Sequence, residues 1–164
     1  MGCILTQDII TQISNQLKEN RKDVVLTHGV FDLFHIGQAE FLKKSKKQGD
    51  YLIVGIESDE RVSAYKGIER PVIPLAQRME IIAACDYVDF VYPISNPSPV
   101  VDAFYKHMYE LLNPVLVTFG RGFAYQNQLK DEKLQILGIK SKKITHIYDT
   151  LQSTTRIIDK IRAA

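Results

Sequence analysis

The 164-residue chain has little of what would place it outside the ordinary globular class. It has only two cysteines, Cys3 and Cys85, far apart and without metal-ligand spacing. That argues against a disulfide framework and a cysteine metal site, and leads us to expect a reduced, cytoplasmic protein. Cys85 falls in an apolar helical pattern and is expected as a core thiol. No apolar run is long enough to span a bilayer. The N-terminus turns polar straight after Leu5, so no secretory leader is expected. Met1-Gly2-Cys3-Ile4-Leu5-Thr6 fits the permissive myristoylation pattern, but nothing else suggests a membrane. Charge of one sign is also scarce: 21 Lys and Arg against 19 Asp and Glu leave +2, too little to argue for nucleic acid. There is no repeat, low-complexity tract or linker. With 45% hydrophobic and 24% charged residues, the composition is that of one soluble domain able to bury a core.

What is present is alternation of strands and helices. Thr6 to about Asn20 reads as an amphipathic helix capped by Thr6, with Ile9, Ile13 and Leu17 at helical spacing. Val24 to Thr27 is a first strand. A helix after Gly37 carries Phe41, Leu42 and Ser45 on one face and ends near Gly49, expected as its C-terminal cap. Lys43, Lys44 and Lys47 read as a solvated face. Tyr51 to Ile56 is a continuous apolar run, the mark of a buried parallel strand. Residues 59 to 65 suit a short helix, and Lys66 to Pro71 reads as a turn-rich, solvated connection. A helix over Leu75 to Cys85 starts at Pro74 and presents Met79, Ile82 and Ala83. Asp89 to Tyr92 is a third strand, Pro93 to Pro99 a loop, and Val100 to Leu112 a helix stopped by Asn113-Pro114. Val115 to Phe119 is a fourth strand, Gln126 to Leu137 a helix, and Ile144 to Tyr148 a half-buried strand. Ser153 caps a last helix with Ile157, Ile158 and Ile161. This alternation predicts an α/β domain: a Rossmann-like, doubly wound parallel sheet with helices on both faces, its active crevice at the C-terminal strand ends.

One stretch organises the rest: Thr27-His28-Gly29-Val30-Phe31-Asp32-Leu33-Phe34-His35-Ile36-Gly37-Gln38. Strand, glycine-bearing turn and helix place anions on a helix N-terminus, where free N–H groups and the helix dipole favour phosphate. Gly29 is expected to make a tight turn and Gly37 a close backbone approach to a ligand. His35 adds a donor, and Asp32 is suited to orient a donor or cap the turn. The stretch is not a Walker loop, and it lacks the G-x-G-x-x-G of dinucleotide-binding dehydrogenases. His28, His107 and His146 read as loop or surface histidines.

The string resembles the G-x-F-D-x-x-H-x-G-H signature of the cytidylyltransferase-like nucleotidyltransferases, with Gln38 at the second histidine. The similarity runs from about Val24 to the last helix, leaving residues 1–22 as an N-terminal helical extension packed on the domain. Leu42, Ser45, Lys46, Gly49 and Asp50 are similar to L-x-x-A-K-x-x-G-D, with Ser45 for alanine. Tyr51 to Glu60 is similar to I-V-G-V-x-S-D-E. Lys66-Gly67, Arg70-Pro71, Pro74 and Arg78-Met79 are similar to K-G-x-x-R-P-x-x-P-x-x-R-M, nearest the heptose-phosphate adenylyltransferase branch. Ser153-Thr154-Thr155 matches the S-T-T that opens the family's last helix.

The resemblance implies nucleotidyl transfer. A phosphate on a small acceptor, such as a sugar or polyol phosphate, attacks the α-phosphorus of ATP or CTP, and pyrophosphate leaves. Such a site needs cations and backbone donors more than a nucleophile. It implies catalytic roles for His35, Gln38 and Lys46, with Lys46 reaching the phosphates from the first helix. It implies nucleotide contacts from Gly29, Phe31, Asp32, Gly37, Arg78, Ser153, Thr154 and Thr155, and acceptor contacts from Asp59, Lys66 and Arg121. Mg²⁺ would travel with the nucleotide, without a protein cage. A homodimer is common in the family, and the apolar N-terminal helix would contribute to it. Two departures stand out. Gln38 donates a hydrogen bond but cannot carry charge, which leaves open a nucleotide-binding relative with weak or lost catalysis. Phe119-Gly120-Arg121-Gly122-Phe123 puts Arg121 where the family has an acidic turn, facing either the acceptor or solvent.

Overall fold

Val24–Gly29 (β2) and Tyr51–Glu57 (β3) are buried along almost their whole length, and a strand with no solvent side belongs inside a sheet covered on both faces. A computed structural model describes residues 1–95, 102–120, 134–144 and 153–163 of the chain. The remaining elements are β1 (Cys3–Ile4), α1 (Gln7–Glu19), α2 (Ile36–Lys46), α3 (Asp59–Lys66), α4 (Leu75–Ala83), β4 (Phe90–Ile94), α5 (Asp102–Leu112), β5 (Leu116–Phe119), β6 (Lys140–Lys143) and α6 (Thr154–Arg162). The six strands pair in the order β1-β4-β3-β2-β5-β6, every pair parallel. This is the expected Rossmann-like α/β sheet.

Each face has its own core. Ile10 of α1 and Met108, Tyr109 and Leu112 of α5 pack with Val24, Leu26 and Ile53 on one face. Phe41 and Leu42 of α2 and Met79 and Ile82 of α4 pack with Val25, Leu52 and Val54 on the other. The chain runs from β2 through β3 to β4 on one side and then crosses to β5 on the other. The order reverses beside β2, so the crevice opens at that strand's C-terminal end.

Most elements match the sequence pattern, and the differences have tertiary causes. β2 runs on to Gly29, so His28 lies in the strand and not in a loop. β1 was not anticipated: Cys3 and Ile4 pair with Phe90 and Val91. The buried face of α1 is Ile10 and Ser14, with Leu17 against the core, and Ile9 is exposed. Ser14 is buried because its hydroxyl donates to the carbonyl of Leu112 at the end of α5, 2.5 Å away. α1 therefore spends its apolar face on its own sheet. β4 continues through Pro93, expected in a loop. Proline is tolerated there because β1 reaches only to the level of Val91, so no neighbour on that side needs its N–H. Among the described residues the last strand is Lys140–Lys143, while residues 145–148 of the expected strand and 126–133 of the expected helix lie outside the described residues. Cys85 is half-buried, and withdrawal from solvent pushes its thiol pKa up.

Ser45 donates to the carbonyl of Phe41 at 2.9 Å and accepts from the Thr118 hydroxyl at 2.9 Å, a cross-tie to β5 that alanine could not make. Gly49 is required by packing and not by a left-handed cap. A Cβ there would lie 2.7 Å from Val25 Cγ2 and 2.8 Å from the Asp23 carbonyl. Gly49→Ala should lower stability by about 1–3 kcal/mol through this overpacking, measured by urea denaturation. A change within a few tenths would show that the turn yields freely.

Candidate active site

The turn after β2 is not made by glycine. Gly29 ends the strand, and its missing side chain makes room for the Phe31 ring, which a Cβ would meet at 3.3 Å. The reversal falls instead on Phe31 (φ +52°) and Leu33 (φ +45°), both left-handed and non-glycine, at a cost on the order of 1 kcal/mol each. Asp32, between them, is 1% exposed. Its Oδ1 accepts from the Ile73 N–H at 3.0 Å and its Oδ2 from the Val72 N–H at 3.0 Å. Arg70 adds Nε at 3.0 Å and a terminal nitrogen at 2.9 Å to Oδ2. The segment expected to be a solvated connection is thus bolted to the turn. Asp32 spends its carboxylate on the protein and holds the loop in shape, so it is not placed to contact nucleotide through its side chain.

α2 starts directly beyond this turn. His35 is its N-cap: Nδ1 accepts from the Gly37 N–H at 3.2 Å, so in the neutral ring the proton sits on Nε2. Gln38 closes a reciprocal capping box, its Oε1 accepting from the His35 N–H at 3.1 Å. The amide nitrogen is then the donor end of Gln38. α6 begins beside the same loop. Ser153 caps it by accepting from the Arg156 N–H at 3.2 Å, and the Thr154 hydroxyl donates to the Asp32 carbonyl at 2.7 Å. Two helix N-termini are thereby joined through one residue. Between α6 and the 66–72 segment lies a cleft of about 280 Å³, lined among others by Lys66, Arg70 and Thr155. Crowding by protein, with the Arg70 guanidinium adding to it, holds the Lys66 ammonium below the ordinary lysine pKa.

Several expected site residues have other work. Lys46 lies at the far end of α2, at the N-terminal edge of the sheet. It pairs with Asp89 at 2.7 Å, donates to the Asp50 carbonyl and sits over the Tyr51 ring. It cannot reach phosphates at the opposite edge, because the helix that begins at the crevice carries it away. Arg78 is fully buried and does not line a nucleotide surface. It donates to the carbonyls of Val30 (2.5 Å), Ile73 (2.9 Å) and Glu57 (2.8 Å) and to Asp59 Oδ1 (2.6 Å). It is a brace across the ends of β2 and β3. Asp59 takes that bond and one from the Leu75 N–H at 3.1 Å, so both its oxygens are engaged within the protein. Arg121 and His146 lie outside the described residues. His107 is exposed, as expected.

His28 was misjudged. It is buried, stacked on Tyr105 at 4.7 Å between ring centres, with Nε2 2.9 Å from the Tyr109 hydroxyl. Glu57 and Arg61, both 3% exposed, pair nearby at 3.4 Å. The one sequence signal for this cluster was Glu57 standing at the C-terminal end of a buried strand, where ligands bind.

The parallel sheet and its reversal beside β2, with helix N-termini at that edge, define a Rossmann-like α/β class. The cytidylyltransferase-like family model matches residues 26–160, and the chain belongs to that family. It is 35% identical over 94% of its length to the bifunctional protein HldE of Geotalea uraniireducens, and 33% identical over 90% to that of Geobacter metallireducens. It spans only 30% and 28% of those two relatives. Among solved structures, a lipopolysaccharide core biosynthesis protein from Thermoplasma volcanium superposes with TM-score 0.61 at 26% identity, covering 78% of this chain and 99% of that one. Pantoate-beta-alanine ligase from Francisella tularensis, solved with beta-gamma ATP and beta-alanine, shares the fold: TM-score 0.68 at 14% identity, over 100% of this chain and 79% of that one. The nucleotidyltransferase class expected from the sequence is that of the family. No helix among the described residues is long and apolar enough to cross a membrane.

The two edges should respond differently. Asp32→Asn should cost about 3 kcal/mol by breaking a buried pair and abolish nucleotide-dependent thermal stabilisation. Lys46→Met should cost about 1 kcal/mol, because its ion pair is part-exposed, and leave the nucleotide effect intact. Loss of nucleotide stabilisation in Lys46→Met would return that lysine to the site.

Proposed function

We propose that the chain transfers a nucleoside monophosphate from a nucleoside triphosphate to a small phosphorylated acceptor, such as a sugar or polyol phosphate, releasing pyrophosphate. The observation that carries this is the junction of two capped helix N-termini through Asp32, with Lys66 and Arg70 beside it. Helix N-termini supply N–H groups and positive potential to an oligophosphate. The cations beside Thr155 suit the charge that develops on leaving pyrophosphate. In the step itself an acceptor phosphate oxygen bonds to the α-phosphorus, and the bond from that phosphorus to the β-bridging oxygen breaks. His35 Nε2–H and the Gln38 amide would steady the α-phosphate oxygens. Mg²⁺ enters as the metal chelate of the nucleotide. Its ligands would be phosphate oxygens and water. The Lys66–Pro71 segment, with its heptose-phosphate-like pattern, favours ATP over CTP.

Gln38 supports a second reading, a nucleotide binder with little turnover, because a neutral donor is roughly half as strong as a charged one. Pyrophosphate release, assayed with ATP or CTP, Mg²⁺ and a panel of sugar and polyol phosphates, separates the two. Transfer predicts release with one nucleotide, and Gln38→His should raise the rate roughly tenfold or more. A silent native chain that histidine restores would establish the binder. Silence from both, with no nucleotide bound, would end the proposal.

A further inference from the structure

A charged cluster lies on the α5 face of the sheet, across β2 and β3 from α2. It is built from Glu57 at the end of β3, Arg61 and Tyr65 of α3, Tyr105 of α5 and His28 of β2. The Tyr65 hydroxyl donates to Glu57 Oε2 at 2.9 Å, and Arg61 Nε faces the same oxygen at 3.4 Å. Arg61 also donates to the Tyr105 hydroxyl at 2.9 Å, and Tyr105 stacks on His28. Burial and the Glu57 carboxylate raise the Tyr65 pKa well above the ordinary tyrosine value and push that of Tyr105 up to about 12. Both phenols therefore stay protonated.

Packing alone does not call for this arrangement. A buried ion pair generally stabilises no better than well-packed apolar residues of the same volume. Position 57 is also the unspecified one in I-V-G-V-x-S-D-E, so the motif itself does not require a carboxylate there. Only one of its oxygens is engaged: among the described residues Glu57 Oε1 receives no hydrogen bond, although the side chain is 4% exposed. Oε1 is not sealed from solvent, so a donor from outside the protein can reach it. It stands at the ligand edge of the sheet, and Arg78 fixes its own backbone carbonyl at 2.8 Å.

Resting on the transfer reading above, we infer that Glu57 is a specificity residue for the acceptor, with Oε1 accepting a hydrogen bond from a hydroxyl of a sugar or polyol phosphate. Arg61, Tyr65 and Tyr105 are positioning residues that hold the carboxylate. The opposed charges of Glu57 and Arg61 suit neutral hydroxyls better than a second phosphate. The two substrates would then approach the loop from opposite faces of the sheet. Phosphate donors come from the α2 and α6 side, and hydroxyl recognition from the α3 and α5 side.

Calorimetric titration tests this without turnover. The probes are glycerol 3-phosphate and a heptose phosphate, with methyl phosphate as the hydroxyl-free control, each with and without ATP and Mg²⁺. The native chain should bind one hydroxylated probe roughly tenfold or more tighter than methyl phosphate. Glu57→Gln should cut that preference to about threefold while ATP affinity stays within about twofold. Glu57→Gln with Arg61→Met removes both charges of the pair and guards against unfolding from an unpaired one. It should lose the same preference. No preference in the native chain, or one that survives in both folded variants, would overturn the assignment. Failure of ATP to bind would count against the transfer reading alone, because hydroxyl preference is also read without nucleotide.

Discussion

The carboxylate of Asp32 is the constraint on which the crevice depends. It holds a loop whose two flanking residues, Phe31 and Leu33, sit in left-handed conformations that isolated peptides avoid. It does so with the N–H groups of Val72 and Ile73 and the guanidinium of Arg70, groups some forty residues away in sequence. Remove that charge and the loop has no reason to keep its shape. Through its carbonyl the same residue seats Thr154. One side chain and one carbonyl thus fix the relative placement of α2, the 66–73 segment and α6.

Arg78 does the complementary work with the opposite charge. It gathers carbonyls from the ends of β2 and β3 and from the segment before α4. Neither group gains much net stability from burial, since desolvation cancels most of the attraction. What they contribute is geometry. Carbonyls at strand ends have lost their sheet partners, and a guanidinium with five donors can satisfy several at once. At the other edge, Lys46 and Asp89 tie the end of α2 to the starts of β3 and β4, with Asp89 also accepting from the Leu52 N–H at 2.7 Å. The two edges carry similar charges for different reasons, and only the direction of α2 tells them apart.

That is why the fold was legible in the sequence and the site only partly so. Continuous apolar runs such as Leu52 to Ile56 and helical spacing such as Met79, Ile82 and Ala83 report burial directly, and both stand in the structure. Motif spacing placed His35, Gly37 and Ser153 at helix starts, where they are. It could not say whether a motif residue touches ligand or holds another residue in place. Lys46, Arg78 and Asp32 looked like phosphate or nucleotide groups because cations and carboxylates serve both ends. β1 is two residues long and exists through its pairing with β4, so no local pattern announced it. The face of α1 was misread by one position because Ser14 is buried to satisfy a carbonyl of another helix. His28 looked exposed because β2 was ended two residues early.

Gln38 shows how the loop constrains chemistry as well as shape. Its amide oxygen is spent on the His35 N–H, and that bond orients the amide. The nitrogen end therefore stays a donor at the helix start without a search among rotamers. This preserves direction and gives up charge. A phosphorus centre gaining negative charge there would meet the neutral donors of α2, and fixed positive charge only farther along, where Lys66 and Arg70 line the cleft beside Thr155. Electrostatic help would then fall mainly on the leaving end of the triphosphate and less on the centre under attack. On the transfer reading, a site so arranged would hold its nucleotide through the helix starts. On that reading, the stabilisation that a second histidine would have supplied would fall to the cations at the leaving end.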